Sequence, residues 1–300
     1  MPPSNHILVL TSGAPLPFAI TDRCASFMDN RNVPLENTKI LGDNGQELTF
    51  TNDPRPYLNE LREQLAPLGI DANICSGENR KKKLLIADMD ATIITSECID
   101  ELASIHGVAE QIKSITAKAM QGELDFKPSL YARVRLLKGL STKAIEQAYK
   151  EKISLTPGAQ TLVQTMNASK SVTILASGGF TCFAQKIANK VGFHFCHANI
   201  LGIANEELTG EITEPVLGKE SKKTILQQYM QNFAIKTDET IAVGDGANDE
   251  DMIKTAGFGV AFNAKPSLRQ KTSFHIDYSD LTSLLFLQGY REEEFVKKNT

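Results

Sequence analysis

The chain has 300 residues, 41% hydrophobic and 23% charged, with a net charge of -4, which suits two domains, or one domain carrying an insertion, and leaves ample material for a core. The acidic balance speaks against nucleic-acid binding, whose footprint is basic, and no stretch approaches the ~20 apolar residues of a membrane span. Five cysteines, an odd number without a C-x-x-C pair, point to a reduced, cytoplasmic protein with structural thiols.

Residues 1–80 read as a small unit. "HILVL" is a strand and Leu16 to Asp29 a helix; "TKIL" and "ELTFT" flank Gly42-Asp43-Asn44-Gly45, which carries an Asn-Gly hairpin signal. Leu58, Leu61, Leu65 and Leu68 recur at helical spacing, and "IDANIC" is a last strand. Strand, helix, strand, strand, helix, strand is the order of a small α+β sandwich resembling amino-acid-binding (ACT-like) regulatory modules. "SGENRKKK" reads as the linker, so this unit is expected to fold by itself and residues 81–300 to form a second domain. The basic run Arg80-Lys81-Lys82-Lys83 reads as a solvated strand entry.

From Leu84 the pattern changes to short apolar runs: "LLIAD", "SVTILAS", "TIAVGD", "FGVAF" and "FHID". Such runs suit strands buried on both faces. Helices separate them. One is opened by Pro157 and runs to Ala168; Thr181 to Val191 and Asn248 to Ala256 each end at a glycine, Gly192 and Gly257, placed for a left-handed cap. The alternation predicts an α/β fold with a parallel sheet covered by helices on both sides. Residues 98–154 break it with a mostly helical insertion, "DELASIHG", "VAEQIKSITAKAMQG" and "SLYARVRLLKG", which is placed to act as a lid over the sheet's carboxyl edge.

In such a sheet chemistry gathers at the carboxyl ends of the strands. Asp88 and Asp90 follow the first strand; Ser177, Gly178 and Gly179 follow the second; Asp245 and Asp249 lie in "GDGANDEDM". Four carboxylates in one crevice either rise in pKa or share a cation. An all-oxygen set without His or Cys favours a hard cation, and Mg²⁺ best, because it commonly takes one or two carboxylates with phosphate and water. The Ser177 hydroxyl and the Gly178 amide make an anion site at a helix start. A lysine, Lys222 or Lys223, completes the charge balance.

"DMDATI", "ASGGF", that lysine and "GDGANDEDM" resemble the four motifs of the haloacid-dehalogenase-like phosphatases, which have a Rossmann-like core and react through an aspartyl phosphate. "TSECIDELA", "FKPSLYARVRLLKG" and "VGDGANDEDMIKTAGFGVAFNAKP" resemble the branch acting on phosphoserine, in the last step of serine biosynthesis. The resemblance covers Leu84 to Ser279. It implies Asp88 as nucleophile, Asp90 as general acid/base, and Lys222 rather than Lys223 as the charge-balancing lysine. It implies Mg²⁺ on Asp88, the Asp90 backbone carbonyl and Asp245, with Asp249 supporting the metal's waters. Ser177, Gly178 and Thr92 would serve the phosphate, and Asn248 the phosphate or the lysine; Glu97 would serve the substrate ammonium; Arg133 its carboxylate; Phe126 the closure of the site. Ala91 stands where the family usually has serine. Rival readings are a phosphatase for phosphohomoserine or phosphoethanolamine, and an inactive amino-acid-sensing protein. No nucleic-acid or membrane partner is expected, and a homodimer stays open.

Overall fold

The computed structural model describes residues 6–120 and 123–297. Residues 1–5, and Gln121 and Gly122 at the end of the expected helical stretch "VAEQIKSITAKAMQG", lie outside that range. Two sheets organise the chain. The first holds β1 (His6–Ser12), β2 (Leu35–Gly42), β3 (Gly45–Phe50) and β4 (Ile70–Ser76), in the order β2-β3-β1-β4 and antiparallel throughout. Helices Ile20–Asp29 and Leu58–Leu65 cover one face, burying Cys24, Phe27, Leu61 and Leu65 against Leu8, Leu10 and Leu48.

The expected helix from Leu16 begins only at Ile20. Pro15 and Pro17 steer the residues before them away from the helical region. Leu68 falls outside its helix, in a short turn containing Pro67 that ends on left-handed Gly69, and its side chain is exposed. The hairpin forms where it is signalled, yet neither Asn44 nor Gly45 has a positive φ. Close approach explains the glycines better. A Cβ at Gly45 would lie 2.7 Å from the Phe286 ring, and one at Gly42 would lie 2.7 Å from Glu292 Cβ.

The second sheet holds β5 (Leu84–Ala87), β6 (Val172–Phe180), β7 (Phe195–Ala204), β8 (Glu207–Thr213), β9 (Thr240–Gly244), β10 (Phe258–Phe262) and β11 (Phe274–Ile276). Their order is β11-β10-β9-β5-β6-β7-β8, parallel except for β8. This is the Rossmann-like α/β core the alternation predicts, enlarged by the β7–β8 hairpin, which sequence reading did not reach. Alternate residues of the central strands serve two cores: Leu85, Ala87, Ile241 and Val243 on one face, Leu84, Ile86 and Ala242 on the other. Hence β5 and β9 carry no polar side chain between Leu84 and Ala87 or between Ile241 and Val243.

Of the expected glycine caps, Gly192 has φ 100° and ends helix Thr181–Val191 as read. Gly257 does not: helix Glu250–Thr255 ends at Ala256 in an extended conformation. A Cβ at Gly257 would sit 2.6 Å from the Thr237 carbonyl, so a close backbone approach calls for glycine there. Four helices, Cys98–His106, Ala109–Met120, Phe126–Arg135 and Thr142–Glu151, build the insertion after β5.

The free face of the front sheet lies on the larger body. Ile7, Val9, Leu41 and Cys75 join one apolar cluster with Leu285, Phe286, Leu287 and Tyr290. Asn73 pairs with both backbone groups of His275 at 2.8 Å each, joining β4 to β11 through a side chain. Asp71 accepts the amides of Asp277, Tyr278 and Ser279 and the Ser279 hydroxyl. Arg80, in the linker read as solvated, is part-buried and held by Glu47 at 2.6 Å and by the Phe286 and Leu287 carbonyls. Lys82, of the same run, is 4% exposed and donates to the Asn79 and Asp238 carbonyls. All five cysteines are free; burial pushes Cys24 up to about 12 and Cys182 and Cys196 up to about 11, and raises Cys75 and Cys98 as well.

Candidate active site

The chain leaves β5 toward β6 on one side and later returns to β9 on the other. The crevice at the carboxyl end of β5 is therefore the topological switch point, where open α/β sheets bind ligands. Asp88 ends β5 there. Asp90 is extended and Ala91 left-handed, with φ 52°, which turns the chain sharply out of the sheet and into the lid. Ala91, read above as a departure from the family pattern, thus carries a backbone conformation that disfavours side chains by roughly 1 kcal/mol.

Beneath the lid lies a cavity of 370 Å³. Asp88, Asp90, Asp245 and Asn248 form its floor; Glu97, Phe126 and Arg133 come from the lid; Gly178 supplies one wall. Lys222, Ser177 and Asp249 stand behind that surface, each 2% exposed or less. Thr92 differs from expectation: it is fully buried, is no part of the cavity wall, and its Oγ1 has no partner among the described residues.

Lys222 Nζ lies 2.6 Å from both Asp88 Oδ1 and Asp249 Oδ1. Burial works against its charge, but Asp249 and Asp88 outweigh this and raise its pKa. Asp88 Oδ1 also accepts the Met89 amide at 2.7 Å, whereas Oδ2 accepts, among the described residues, only from Asn248 Nδ2, at 3.3 Å. One oxygen of Asp88 is thereby anchored and the other left for chemistry. Asp249 Oδ2 accepts the amides of Asp245 and Gly246 at 3.1 Å. A Cβ at Gly244 would lie 2.4 Å from Asp249 Cγ, so only glycine lets this carboxylate fold back over its own strand.

Asp90 has different surroundings. Oδ1 accepts the Cys98 amide at 2.8 Å, and Ser177 Oγ donates to Oδ2 at 3.3 Å. Burial, reinforced by the charge of Asp88 and opposed by Cys98, pushes its carboxyl up to about 6. A Cβ at Gly179 would fall 2.7 Å from Asp90 Oδ2, which is why the second glycine of "SGGF" is there. Burial and then the charge of Asp90 push Glu97 up to about 8.

Oxygens of Asp88, Asp245 and Asp249 all lie within 4.8 Å of one another, and all three residues are buried. Oxygen-only donors of high negative charge fit a hard metal ion. Sequence reasoning missed Lys265, whose Nζ lies 3.3 Å from Asp245 Oδ2 and which lines the cavity. It lies three residues past the end of β10 at Phe262, in the loop at the same sheet edge, so the rule that found the other strand ends pointed to its neighbourhood. Asp100, also on the wall, was missed as well.

A haloacid dehalogenase-like hydrolase family model matches residues 82–257. A probable phosphoserine phosphatase of Schizosaccharomyces pombe is 37% identical over 295 residues, covering 97% of this chain and 96% of its relative. The chain belongs to the haloacid dehalogenase-like hydrolases, among the phosphoserine phosphatases. The phosphoserine phosphatase of Streptomyces coelicolor is 36% identical across 83% of this chain, which spans 61% of that longer relative. A probable phosphoserine phosphatase from Vibrio cholerae matches in structure with a TM-score of 0.79 and 29% identity, over 95% of this chain and 86% of that one. The front module is thus shared by relatives matched over nearly the whole chain. No helix among the described residues is long and apolar enough to cross a membrane.

Proposed function

We propose that the protein hydrolyses O-phospho-L-serine to L-serine and phosphate with Mg²⁺, the last step of serine biosynthesis. The observation that carries this reading is the unequal pair at the strand end: Asp88 held by Lys222, and Asp90 with its carboxyl raised to about 6. Two carboxylates in one crevice with different environments are suited to different jobs.

The unanchored Oδ2 of Asp88 attacks phosphorus in line and forms an acyl phosphate, splitting one difficult step into two. Asp90 delivers a proton to the departing serine oxygen, then takes one from the water that cleaves the intermediate; a carboxyl titrating near neutrality can do both. Lys222, the Ser177 hydroxyl and the Gly178 amide face the charge on the phosphoryl oxygens. Mg²⁺, held by Asp88, Asp245 and the Asp90 carbonyl with Asp249 behind, would neutralise the phosphoryl oxygens and fix their orientation. Asn248 keeps Asp88 in register. Thr92 supports the turn from within and does not touch the substrate. The protein works in the cytoplasm on a small molecule; pairing into a dimer is compatible with this reading.

Substrate choice comes from the lid, where Arg133 takes the carboxylate bidentately and Glu97 the ammonium. Losing one partner of a desolvated charge pair costs ~2–5 kcal/mol, roughly 30- to 5,000-fold in specificity constant. Arg133→Ala should therefore cripple phosphoserine hydrolysis and barely change that of an aryl phosphate, which has no carboxylate. Specificity constants for phosphoserine, phosphohomoserine, phosphoethanolamine and an aryl phosphate decide the matter. Equal losses on all four would make Arg133 a lid-packing residue, and a better wild-type rate on phosphoethanolamine would overturn the substrate.

Glu97 adds a pH signature. Burial, and after it the charges of Asp90, Asp245 and Asp88, raise its carboxyl to about 8, which favours the protonated form at neutral pH in the cavity empty of substrate and metal. An arriving ammonium favours the ionised form, so binding releases a proton below about pH 8 and none well above it. KM for phosphoserine should fall as pH rises from about 7 toward 8.5, a range in which the phosphate is already dianionic. Calorimetry of phosphoserine binding to the Asp88→Asn protein, in buffers of differing ionisation enthalpy, measures the released proton directly. Glu97→Gln should abolish the release; its persistence would assign the proton elsewhere.

A further inference from the structure

We infer that Asn199 is a positioning residue that fixes the phosphate loop and the seat on which the lid closes. This rests on the phosphatase reading alone, and not on the identity of the substrate.

The parallel pairing of β6 with β7 is regular from Ile174–Phe195 to Ala176–His197, and the next pair is Phe180–Asn199. Between those pairs β6 advances four residues and β7 only two. The surplus forms the bulge of Ser177, Gly178 and Gly179, which brings the two glycines to the cavity wall, while the Gly179 amide donates to Ser177 Oγ at 2.8 Å. A bulge leaves ladder groups without strand partners. The Asn199 side chain replaces what is missing: its Nδ2 donates to the Gly178 carbonyl at 2.8 Å.

The same amide holds a second segment. Nδ2 also donates to the Leu217 carbonyl at 3.2 Å, and Oδ1 accepts the Leu217 amide at 2.7 Å. Leu217 precedes Gly218, the residue at the start of helix Lys219–Asn232, which carries Lys222. One side chain, 2% exposed, therefore ties the phosphate loop to the turn that delivers the buried lysine.

Those two tied segments also meet the lid. A Cβ on Gly178 would lie 3.5 Å from Phe126, and one on Gly218 would lie 3.1 Å from it. The Phe126 ring rests on two bare glycines whose separation Asn199 sets. All the amide's polar atoms are used in this cross-link, so it does not touch substrate and acts through Gly178, Leu217 and Phe126.

The test measures aryl phosphate hydrolysis and inhibition by inorganic phosphate, both blind to the amino-acid end of the substrate. Asn199→Ala should fold, lower the specificity constant roughly 100-fold and raise the inhibition constant for phosphate about tenfold, because small misplacement of positioning groups has effects of that size. Asn199→Asp retains the volume and the acceptor for Leu217 but turns a donor into a charge facing two carbonyls, and should lose at least as much. In a Phe126→Ala background the Asn199→Ala loss should shrink, since residues acting through one another are not additive. Gly218→Ala should lower the specificity constant in wild type and have no effect once Phe126 is removed, which tests the seat even if the Asn199 variants do not fold. A drop in melting temperature with an unchanged phosphate inhibition constant would make Asn199 a purely structural residue and overturn the inference, as would full additivity with Phe126→Ala. A wild-type protein inactive on every phosphate ester would instead overturn the phosphatase reading itself.

Discussion

Asp88→Asn should give a folded protein whose turnover is at least about 10⁴-fold below wild type, the order seen when a nucleophile is removed from an otherwise complete site. The substitution keeps the shape and the acceptor for Met89, but an amide oxygen is no nucleophile toward phosphorus. Stability should not suffer. Lys222 keeps Asp249 at 2.6 Å, and the charge of Asp88, which together with burial raises the Asp249 carboxyl, is gone. The melting temperature in chelator should hold or rise, because like charges at one spot repel. Removing divalent ions from the wild type should abolish turnover too, and Mg²⁺ should restore it. Residual turnover of Asp88→Asn within a hundredfold of wild type would exclude attack by this carboxylate.

A chain beginning at Asn79 should fail to fold. The linker composition suggests an independent front unit, but the interface says otherwise. Phe286, Leu285, Leu287 and Tyr290 are 2% exposed or less, under the sheet that bears Ile7, Val9 and Leu41. Uncovering four such side chains costs about 1.5–3 kcal/mol each, a sum comparable to the whole stability of a typical domain. The amides of residues 277–279 would lose Asp71 at the same time, and His275 would lose Asn73. The truncated protein should be insoluble or bind hydrophobic dyes, read by size-exclusion chromatography and circular dichroism. A soluble, fully active product would show that this face is dispensable.

Much of the site was legible because its residues follow apolar strands: strand ends are where a parallel sheet presents side chains, so Asp88, Asp90, Ser177, Asp245 and even the overlooked Lys265 are findable by position. The lid residues Glu97, Phe126 and Arg133 had no such signal. Helical spacing does not say which face of an inserted helix looks down on a cavity, and the family resemblance supplied them. Asn199 was invisible for another reason. Its role depends on a mismatch between two neighbouring strands, and register is a property of the pairing and not of either strand. The β7–β8 hairpin escaped because β7 is half-exposed and carries no continuous apolar run. The front sheet's attachment escaped because alternation along β1 is masked: His6 through Ser12 are all buried, one face on its own helices and the other on the larger body.

The five free cysteines have a practical consequence. A thiol titrating at about 11 or 12 is ionised at neutral pH in only about one molecule in 10⁴ or fewer, and the thiolate is the form that alkylating reagents attack. For Cys24, Cys75 and Cys98, which are buried as well, labelling of the native protein waits for moments when the structure opens. Cys24 lies inside the front layer, Cys75 at the seam between layers, and Cys98 where the lid springs from the sheet. The protein carries its own clocks: the alkylation rate of each of these three cysteines, resolved by peptide mass, times the loosening of one joint while the others stay shut.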